Sequence, residues 1–587
     1  MSHVSLGHSG KASSPAEPGG PPATASPRGG GTPGAGNGVM HPEGAPAQTA
    51  TPPGTDAARA GGWRARAARY APAGAAALAM VVLGWWGLAR DSAMGNDEVA
   101  TRWAALLSLR ALAHLLNNQD AVHGLYYLLM HLWAAAGSSP EVLRIPSVLA
   151  MAVAVALVAV LTRRLTGSGR AALFAGLVMA LTPMISFYAQ TARSYAMVLA
   201  CVVGATLVLV RALGAEVAGT GGRSAERWWL GYAALIVLGG YLNEMSLLAL
   251  AAHAVTVLAA RYGRQVVRRW AVTAVVSGVL VGPLVLLSIR QNGEVRWIPR
   301  PGLDALRVLF HDYFGATTAI AVLLVVCAVL AVLPSGRVAS SAATEPARAV
   351  PGSASVPVPP WWRGGVSLPS VAAPLLVVPA LLLILESLVG RPLYVDRYVL
   401  YGEAGAAMLA GAGMWLAGMW LAGRRVGRAA GRPALLWVPG VAACVCVLVL
   451  QLGPQRYFRT PASRLFNFGG PSQYVGAHAR QGDGVMFFGN LFRKARLGYP
   501  GDYTKTTDFG VAKSPQQAGS FRGTDKKFPA VHPLMLDYQR IWVIGQVPSP
   551  RLPDPLLRAE SVVLKQQFRM TAERRFKGIV VTLWQRR

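Results

Sequence analysis

The feature that constrains this chain most is a series of apolar runs, each about 16–24 residues long and nearly free of charge. A run of that length crosses a hydrocarbon core of ~30 Å as a helix. Helix is the economical choice, because lipid supplies no partners for free backbone N–H and C=O groups. The runs fall near 70–89, 142–162, 171–190, 194–212, 228–243, 245–260, 271–289, 316–334, 370–389, 398–422 and 434–452. The expected fold is therefore an all-α polytopic membrane bundle of about eleven transmembrane helices. Only 14% of residues are charged, against roughly 25% in a soluble chain.

The formal charge of +30 suggests nucleic acid at first sight. The arginines, however, sit in short loops between apolar runs and form no single stripe, so no nucleic-acid partner is expected. They fit a topology signal instead. Arg59, Arg64, Arg66 and Arg69 precede the first run, which places the N-terminus in the cytoplasm. Alternating sides from there puts Arg163, Arg164, Arg170, Arg211, Arg223, Arg227, Arg261, Arg264, Arg268, Arg269, Arg424, Arg425, Arg428 and Arg432 inside. The short outside turns hold few: Arg193 alone, none at Asn243–Glu244, and Arg391 with Arg397. An error of one span would invert this bias. The chain is read as a multi-pass protein of the plasma membrane.

Residues 1–62 are Gly-, Pro-, Ala- and Ser-rich and cannot bury enough apolar surface to fold, so a disordered cytoplasmic tail is expected. An odd number of spans leaves 453–587 outside. That segment has soluble character, with strand-like runs at 484–488, 541–544 and 578–584 and a helical stretch at 472–480, and reads as a small extracytoplasmic α/β domain. Cys201, Cys327, Cys444 and Cys446 lie inside apolar runs and read as small buried hydrophobes.

Between the first two spans, residues 91–141 form a long outer loop. Ala104, Leu107, Ala111 and Leu115, then Tyr126, Leu129 and Trp133, recur at helical spacing, as expected of interfacial helices with one buried face. The loop also carries Asp91, Asp97, Glu98, Asp120 and His123. Asp97–Glu98 is the candidate catalytic pair: a carboxylate here could take a proton from an attacking hydroxyl. The competing reading is an N-cap, in which Asn96 or Asp97 merely opens a helix. Asp120 and His123 share a helical face and could orient a phosphate or hold a divalent metal, although two ligands do not make a metal site.

Several segments together resemble the GT-C glycosyltransferases of the protein-mannosyltransferase and lipid A aminoarabinose-transferase type. They are Asn96-Asp97-Glu98, Asp120 to Tyr127 (DAVHGLYY), Leu143 to Ser147 (LRIPS), Tyr188 to Tyr195 (YAQTARSY) and Asp396-Arg397-Tyr398. Residues 63–452 form the GT-C-like catalytic domain in this reading. The resemblance implies a polyprenyl-phosphate-linked sugar as donor and Asp97 as catalytic base. The chain departs from the lipid A enzymes in having no clear lysine partner in the loop.

The chemistry also stands without the family. A departing phosphate gains negative charge and needs preorganised cations, which arginine supplies through paired N–H donors. Arg193 and Arg397, with Tyr195, are the candidate donor-phosphate ligands; the alternative is that they snorkel to lipid headgroups. The stretch 291–314 adds Glu294, Arg296, Trp297, His311, Asp312 and Tyr313, of which Trp297 and Tyr313 suit sugar or acceptor contacts or, equally, a membrane interface. Asn243–Glu244 reads as a turn. The expected activity is inverting transfer of a sugar, mannose favoured and arabinofuranose the alternative, to a glycan, lipid or protein hydroxyl. A lipid-linked-sugar transporter and a non-catalytic scaffold are the other classes. The absence of an internal repeat and the placement of acids in outer loops count against the transporter.

Overall fold

The computed structural model describes residues 55–89, 93–217, 223–333, 365–425 and 436–587. The chain divides into residues 1–61 and 62–587. Of the first unit only the opening turns of helix α1 (Thr55–Trp85) are described, so the tail expected over 1–62 lies almost wholly outside the described residues. Asp91 and the side chains of Glu294, Arg223, Arg424, Arg425, Arg428 and Arg432 also lie outside them.

After α1 the first loop folds as three short helices, α2 (Asn96–Ala105), α3 (Leu109–Asn118) and α4 (Gly124–Trp133). Ala104, Leu107, Leu115 and Tyr126 are buried, whereas Leu109 and Leu132 are exposed. The apolar runs then follow as α5 (Pro140–Thr166), α6 (Gly169–Leu181), α7 (Pro183–Ala189), α8 (Tyr195–Val217), α9 (Arg223–Leu242), α10 (Ala249–Ala259), α11 (Arg264–Arg290), α12 (Leu303–Phe314), α13 (Thr318–Val332), α14 (Leu368–Val389), α15 (Gly402–Arg425) and α16 (Val438–Tyr457). Among the described residues seven helices are long and apolar enough to cross a membrane, or nine if α6–α7 and α12–α13 are each one bent span. The other two runs of the eleven are helical but fail that test. They are α9, which opens on charged residues, and the short apolar helix Glu244–Ala259.

Both bends have local causes. Pro183 has no N–H for the α6 ladder and starts α7 at 67° to it. Gly315 (φ +117°) ends α12, and α13 leaves at 72°. Helix α12 replaces what the sequence suggested was loop over 291–314. Leu303, Leu306, Val308 and Phe310 are exposed along it, and an interfacial helix exposes apolar residues in this way.

Helix α15 sits among α6, α13 and α14, close enough that its glycines decide the packing. A Cβ at Gly411 would overlap the backbone of Ala175, and one at Gly413 would overlap the carbonyl of Cys327. Small residues of this kind let helix backbones approach where lipid offers no hydrophobic drive.

Past α16 lies a five-stranded sheet of order β2-β1-β5-β7-β6, made of β1 (Asp483–Phe488), β2 (Thr506–Asp508), β5 (Arg540–Gly545), β6 (Phe568–Phe576) and β7 (Ile579–Arg586). The strands β3 (Val511–Lys513) and β4 (Thr524–Asp525) form a separate pair. Strands β2, β1 and β5 run parallel, and β7 and β6 close the sheet as an antiparallel hairpin. The sequence pattern signals β1, β5 and β7 but hides β6, whose Arg569, Glu573, Arg574 and Arg575 mark a charged edge strand. Helices α17 (Gly469–His478), α18 (Lys494–Gly498), α19 (Pro515–Ala518), α20 (Phe528–Asp537) and α21 (Pro555–Gln567) complete the region.

This sheet region packs on the first-loop helices. Met94 and Val99 share an apolar core with Phe468, Val485, Phe492 and Trp542. Hydrogen bonds run from Met94 N to Tyr499 Oη (2.8 Å), from Arg102 Nη1 to Gly498 O (2.9 Å) and from Phe521 N to Gln119 Oε1 (3.0 Å). The mouth of the bundle is thus roofed by residues several hundred positions away in sequence.

Candidate active site

Neighbours in sequence, Asp97 and Glu98 have different surroundings, because successive helical residues point about 100° apart. Glu98 is buried. It accepts from Arg144 Nε (2.7 Å) and Nη2 (3.0 Å), lies 3.7 Å from Arg464 Nη1, and accepts the N–H groups of Gly95 and Ala192, both at 3.1 Å. Burial alone would raise its carboxyl, but Arg144 and Arg464 hold it down at about 2. The residue that caps α2 is therefore Glu98, bonded back to Gly95, rather than Asn96 or Asp97.

Asp97 is half-buried and forms no ion pair among the described residues. The one hydrogen bond it receives there comes from Asn96 Nδ2 at 3.4 Å. Burial acts to raise its carboxyl, yet Arg193, Arg397 and Lys494 together hold it below the usual carboxylate range. Asp97 is therefore ionised at neutral pH, surrounded by cations and still free to accept a proton.

Arg193 is held by the turn that carries it. Thr101 Oγ1 donates to Ala192 O (2.9 Å), Ser147 Oγ donates to Arg193 O (3.3 Å), and Arg464 donates to Thr191 Oγ1 and Gln190 O, both at 3.1 Å. Gln190 Nε2 donates to Gly84 O and Trp86 O, both at 2.9 Å. Side chains from α2 and α5, the end of α1 and the segment after α16 thus fix one five-residue turn. The Arg193 guanidinium donates to Asp120 Oδ2 (3.2 Å) and Tyr127 OH (2.5 Å), and Tyr127 OH also donates to Asp120. Its buried Nε has no partner among the described residues.

Asp120 sits in the left-handed region at φ +60°, a conformation Asp tolerates better than most residues. Burial would raise its carboxyl, but Arg193 holds it at about 2. His123 is buried, with Nδ1 3.3 Å from Ser194 Oγ and Nε2 3.9 Å from Asp120. Burial, and then Arg193, push it down to about 4, so it is neutral at pH 7. The guanidinium and the phenol both engage Asp120 Oδ2, while Oδ1 faces His123. Among the described residues no three His, Cys, Asp or Glu side chains converge on one point.

Arg397 precedes α15 and donates from Nε to Tyr195 OH (3.0 Å). Its guanidinium also lies over the rings of Trp297 (5.6 Å), Tyr398 (5.6 Å) and Tyr195 (5.9 Å). Trp297 is exposed and, among the described residues, meets the site through Arg397. Tyr313 is buried and donates to Val399 O (2.6 Å), supporting the segment that carries Arg397. Asn243 accepts from Met245 N (3.0 Å) and makes a turn.

One cation is not apparent from the sequence of the loop. Lys494, at the start of α18, is buried, donates to Asn96 Oδ1 (2.9 Å) and lies 4.9 Å from the Phe521 ring. Burial pushes its ammonium down to about 8 against the pull of Asp97 and Asp120. The loop lacks a lysine, and the C-terminal region brings one to it. No local signal could have found it, since 398 residues separate the partners.

Residues 122–287 match the family model described as dolichyl-phosphate-mannose-protein mannosyltransferase. The chain aligns over 86% of its length with 96% of ArnT from Cupriavidus metallidurans, solved bound to undecaprenyl phosphate, at a TM-score of 0.52 and 14% identity. The chain has a GT-C fold. The apo structure of the same ArnT gives a TM-score of 0.52 at 13% identity, over 89% of this chain and 98% of that one. AglB, the oligosaccharyltransferase from Archaeoglobus fulgidus, aligns at 0.43 and 12% identity, over 82% of this chain and 70% of that one. No curated protein matches the chain. Within the GT-C fold, the first-loop helices, the Gln190–Ser194 turn, the approach to α15 and the C-terminal region converge at one end of a multi-pass bundle. Asp97, Asp120, His123, Arg193, Tyr195 and Arg397 meet there.

Proposed function

We propose that this chain is a membrane glycosyltransferase that draws a sugar from a polyprenyl-phosphate donor and places it on an acceptor hydroxyl. The observation that carries the proposal is Asp97, an ionised carboxylate with no ion-pair partner among the described residues, set among Arg193, Arg397 and Lys494. The family match over 122–287 and the undecaprenyl phosphate held by ArnT support a lipid-linked donor.

In this reading the donor's tail stays in the bilayer while its phosphate meets Arg193 and Arg397. The acceptor oxygen bonds to the anomeric carbon and gives its proton to Asp97. The carbon–oxygen bond to the phosphate breaks, and the phosphate leaves with the electron pair. Cations already fixed in place stabilise that charge without reorganising during the step. Their engagement by phosphate also relieves the pull that depresses Asp97, so the carboxylate becomes a stronger base once the donor has arrived. A single displacement inverts the anomeric centre. Mannose is the favoured sugar and arabinofuranose the alternative; the acceptor is a glycan, lipid or protein hydroxyl. The site is read as extracytoplasmic, a reading that the arginines gathered in the loops at the opposite helix ends support.

The test is Asp97→Asn, assayed with radiolabelled polyprenyl-phosphate sugar in membranes with matched expression. Loss of general-base catalysis is expected to slow transfer by about 10²–10⁴-fold. Activity within a few fold of the parent would reject the assignment and favour a transporter or scaffold.

A further inference from the structure

A polar cavity lies at the other end of the bundle from the candidate active site. Helices α5 and α8 both begin at the candidate active site, at Arg144 and Tyr195. Arg163 and Arg211 follow 19 and 16 residues later, which at 1.5 Å per residue is about 24–28 Å along the helices. There a cavity of about 600 Å³ is lined by Arg69, Arg163, Arg164 and Arg211, with Trp228 and a wall that includes Ala159 and Ala172.

None of the four arginines forms an ion pair with a described carboxylate, and no acidic residue lines the cavity among the described residues. The acid beside them, Glu216, is taken by Arg269 (2.7 Å) and Trp229 (3.0 Å). Two of the arginines are held in place. Arg163 Nη1 donates to Arg69 O (2.8 Å), and the Arg211 guanidinium lies 5.0 Å from the Trp228 ring centre. Arginines that only set topology can splay separately into water. Four converging on one concavity without a counter-charge repel one another, and an anion relieves that repulsion.

We propose that this cavity binds a phosphate group, presented by an anionic phospholipid whose chains lie along the alanine wall. Guanidinium forks match phosphate oxygens in pairs, and Trp228 sits where an indole suits the headgroup level. The site is separate from the proposed donor site and does not depend on it.

The test uses full-length protein in a zwitterionic detergent. Its thermal midpoint is followed while phosphatidylglycerol, phosphatidylcholine or inorganic phosphate is added. Phosphatidylglycerol is expected to raise the midpoint and phosphatidylcholine to leave it unchanged. Arg163→Gln with Arg211→Gln should raise the phosphatidylglycerol concentration for half effect about tenfold. If inorganic phosphate alone gives an arginine-dependent shift, the same site takes free phosphate and the phosphate chemistry stands. Equal responses of parent and variant, equal responses to both lipids, or no response to any addition would overturn the proposal. Should the double glutamine variant fail to fold, Arg163→Lys with Arg211→Lys keeps the charge but loses the fork. It should bind phosphatidylglycerol several-fold more weakly than the parent, and equal binding would count against the site.

Discussion

Replacing Glu98 with Gln keeps the shape of a closed ion-pair knot but removes its central charge. In the folded protein the carboxyl is held at about 2 against an ordinary 4.5. That difference corresponds to about 3 kcal/mol of stability at neutral pH. A second route gives a similar size, because the change breaks the buried Glu98–Arg144 ion pair (2.7 Å), and breaking such a pair costs ~3–5 kcal/mol. The contribution of a depressed carboxyl is complete above its unfolded value and is lost as pH falls through the folded one. The gap between parent and Glu98→Gln should therefore be full at pH 7 and begin to narrow once pH drops below about 4.5. Thermal unfolding in detergent measures it. The midpoint of Glu98→Gln should fall clearly below the parent, and that of Asp97→Asn by less, since Asp97 closes no ion pair among the described residues and its carboxylate is favoured only through space by Arg193, Arg397 and Lys494. Transfer should slow in both, through position in one and proton transfer in the other. An unchanged midpoint for Glu98→Gln at pH 7 would refute the assignment of Glu98 as a positioning residue.

Arg193→Lys keeps the charge but loses the guanidinium that bonds Asp120 and Tyr127 at once; kcat/KM for the donor should fall roughly tenfold or more in initial-rate assays. The alkaline limb of kcat/KM should fall near pH 8, where Lys494 loses its proton, and Lys494→Met should abolish that limb while lowering the plateau. On the acid side kcat/KM should hold below the ordinary carboxylate range, because Asp97 is held ionised there, and a decline near pH 5 would contradict its surroundings. Proton NMR of the product should report an anomeric configuration opposite to that of the donor, and retention would exclude a single displacement with Asp97 as base.

Much of the fold could be read from the chain in order. Apolar length fixes helices because each satisfies its own backbone, so all eleven runs are helical, and of the residues at helical spacing in the first loop Ala104, Leu107, Leu115 and Tyr126 are buried, Ala111 and Trp133 half-buried and Leu129 exposed. Alternation found β1, β5 and β7 but missed β6, where an exposed edge replaces apolar residues with charge. It missed α12 as well, whose apolar residues lie along an interface and form no continuous run.

The candidate site was legible as residue types and loops, but not as geometry. The sequence determined that acids lie in the first loop and that Arg193 and Arg397 sit at helix ends, since these follow from local composition. Only tertiary structure decided that Glu98 turns inward to Arg144 and Arg464 while Asp97 forms no ion pair among the described residues, because one helical step separates their directions. It also decided that Lys494 supplies the loop's missing cation and that Arg163 and Arg211 converge on a cavity. Coulomb forces act through space, and chain order carries no measure of that distance.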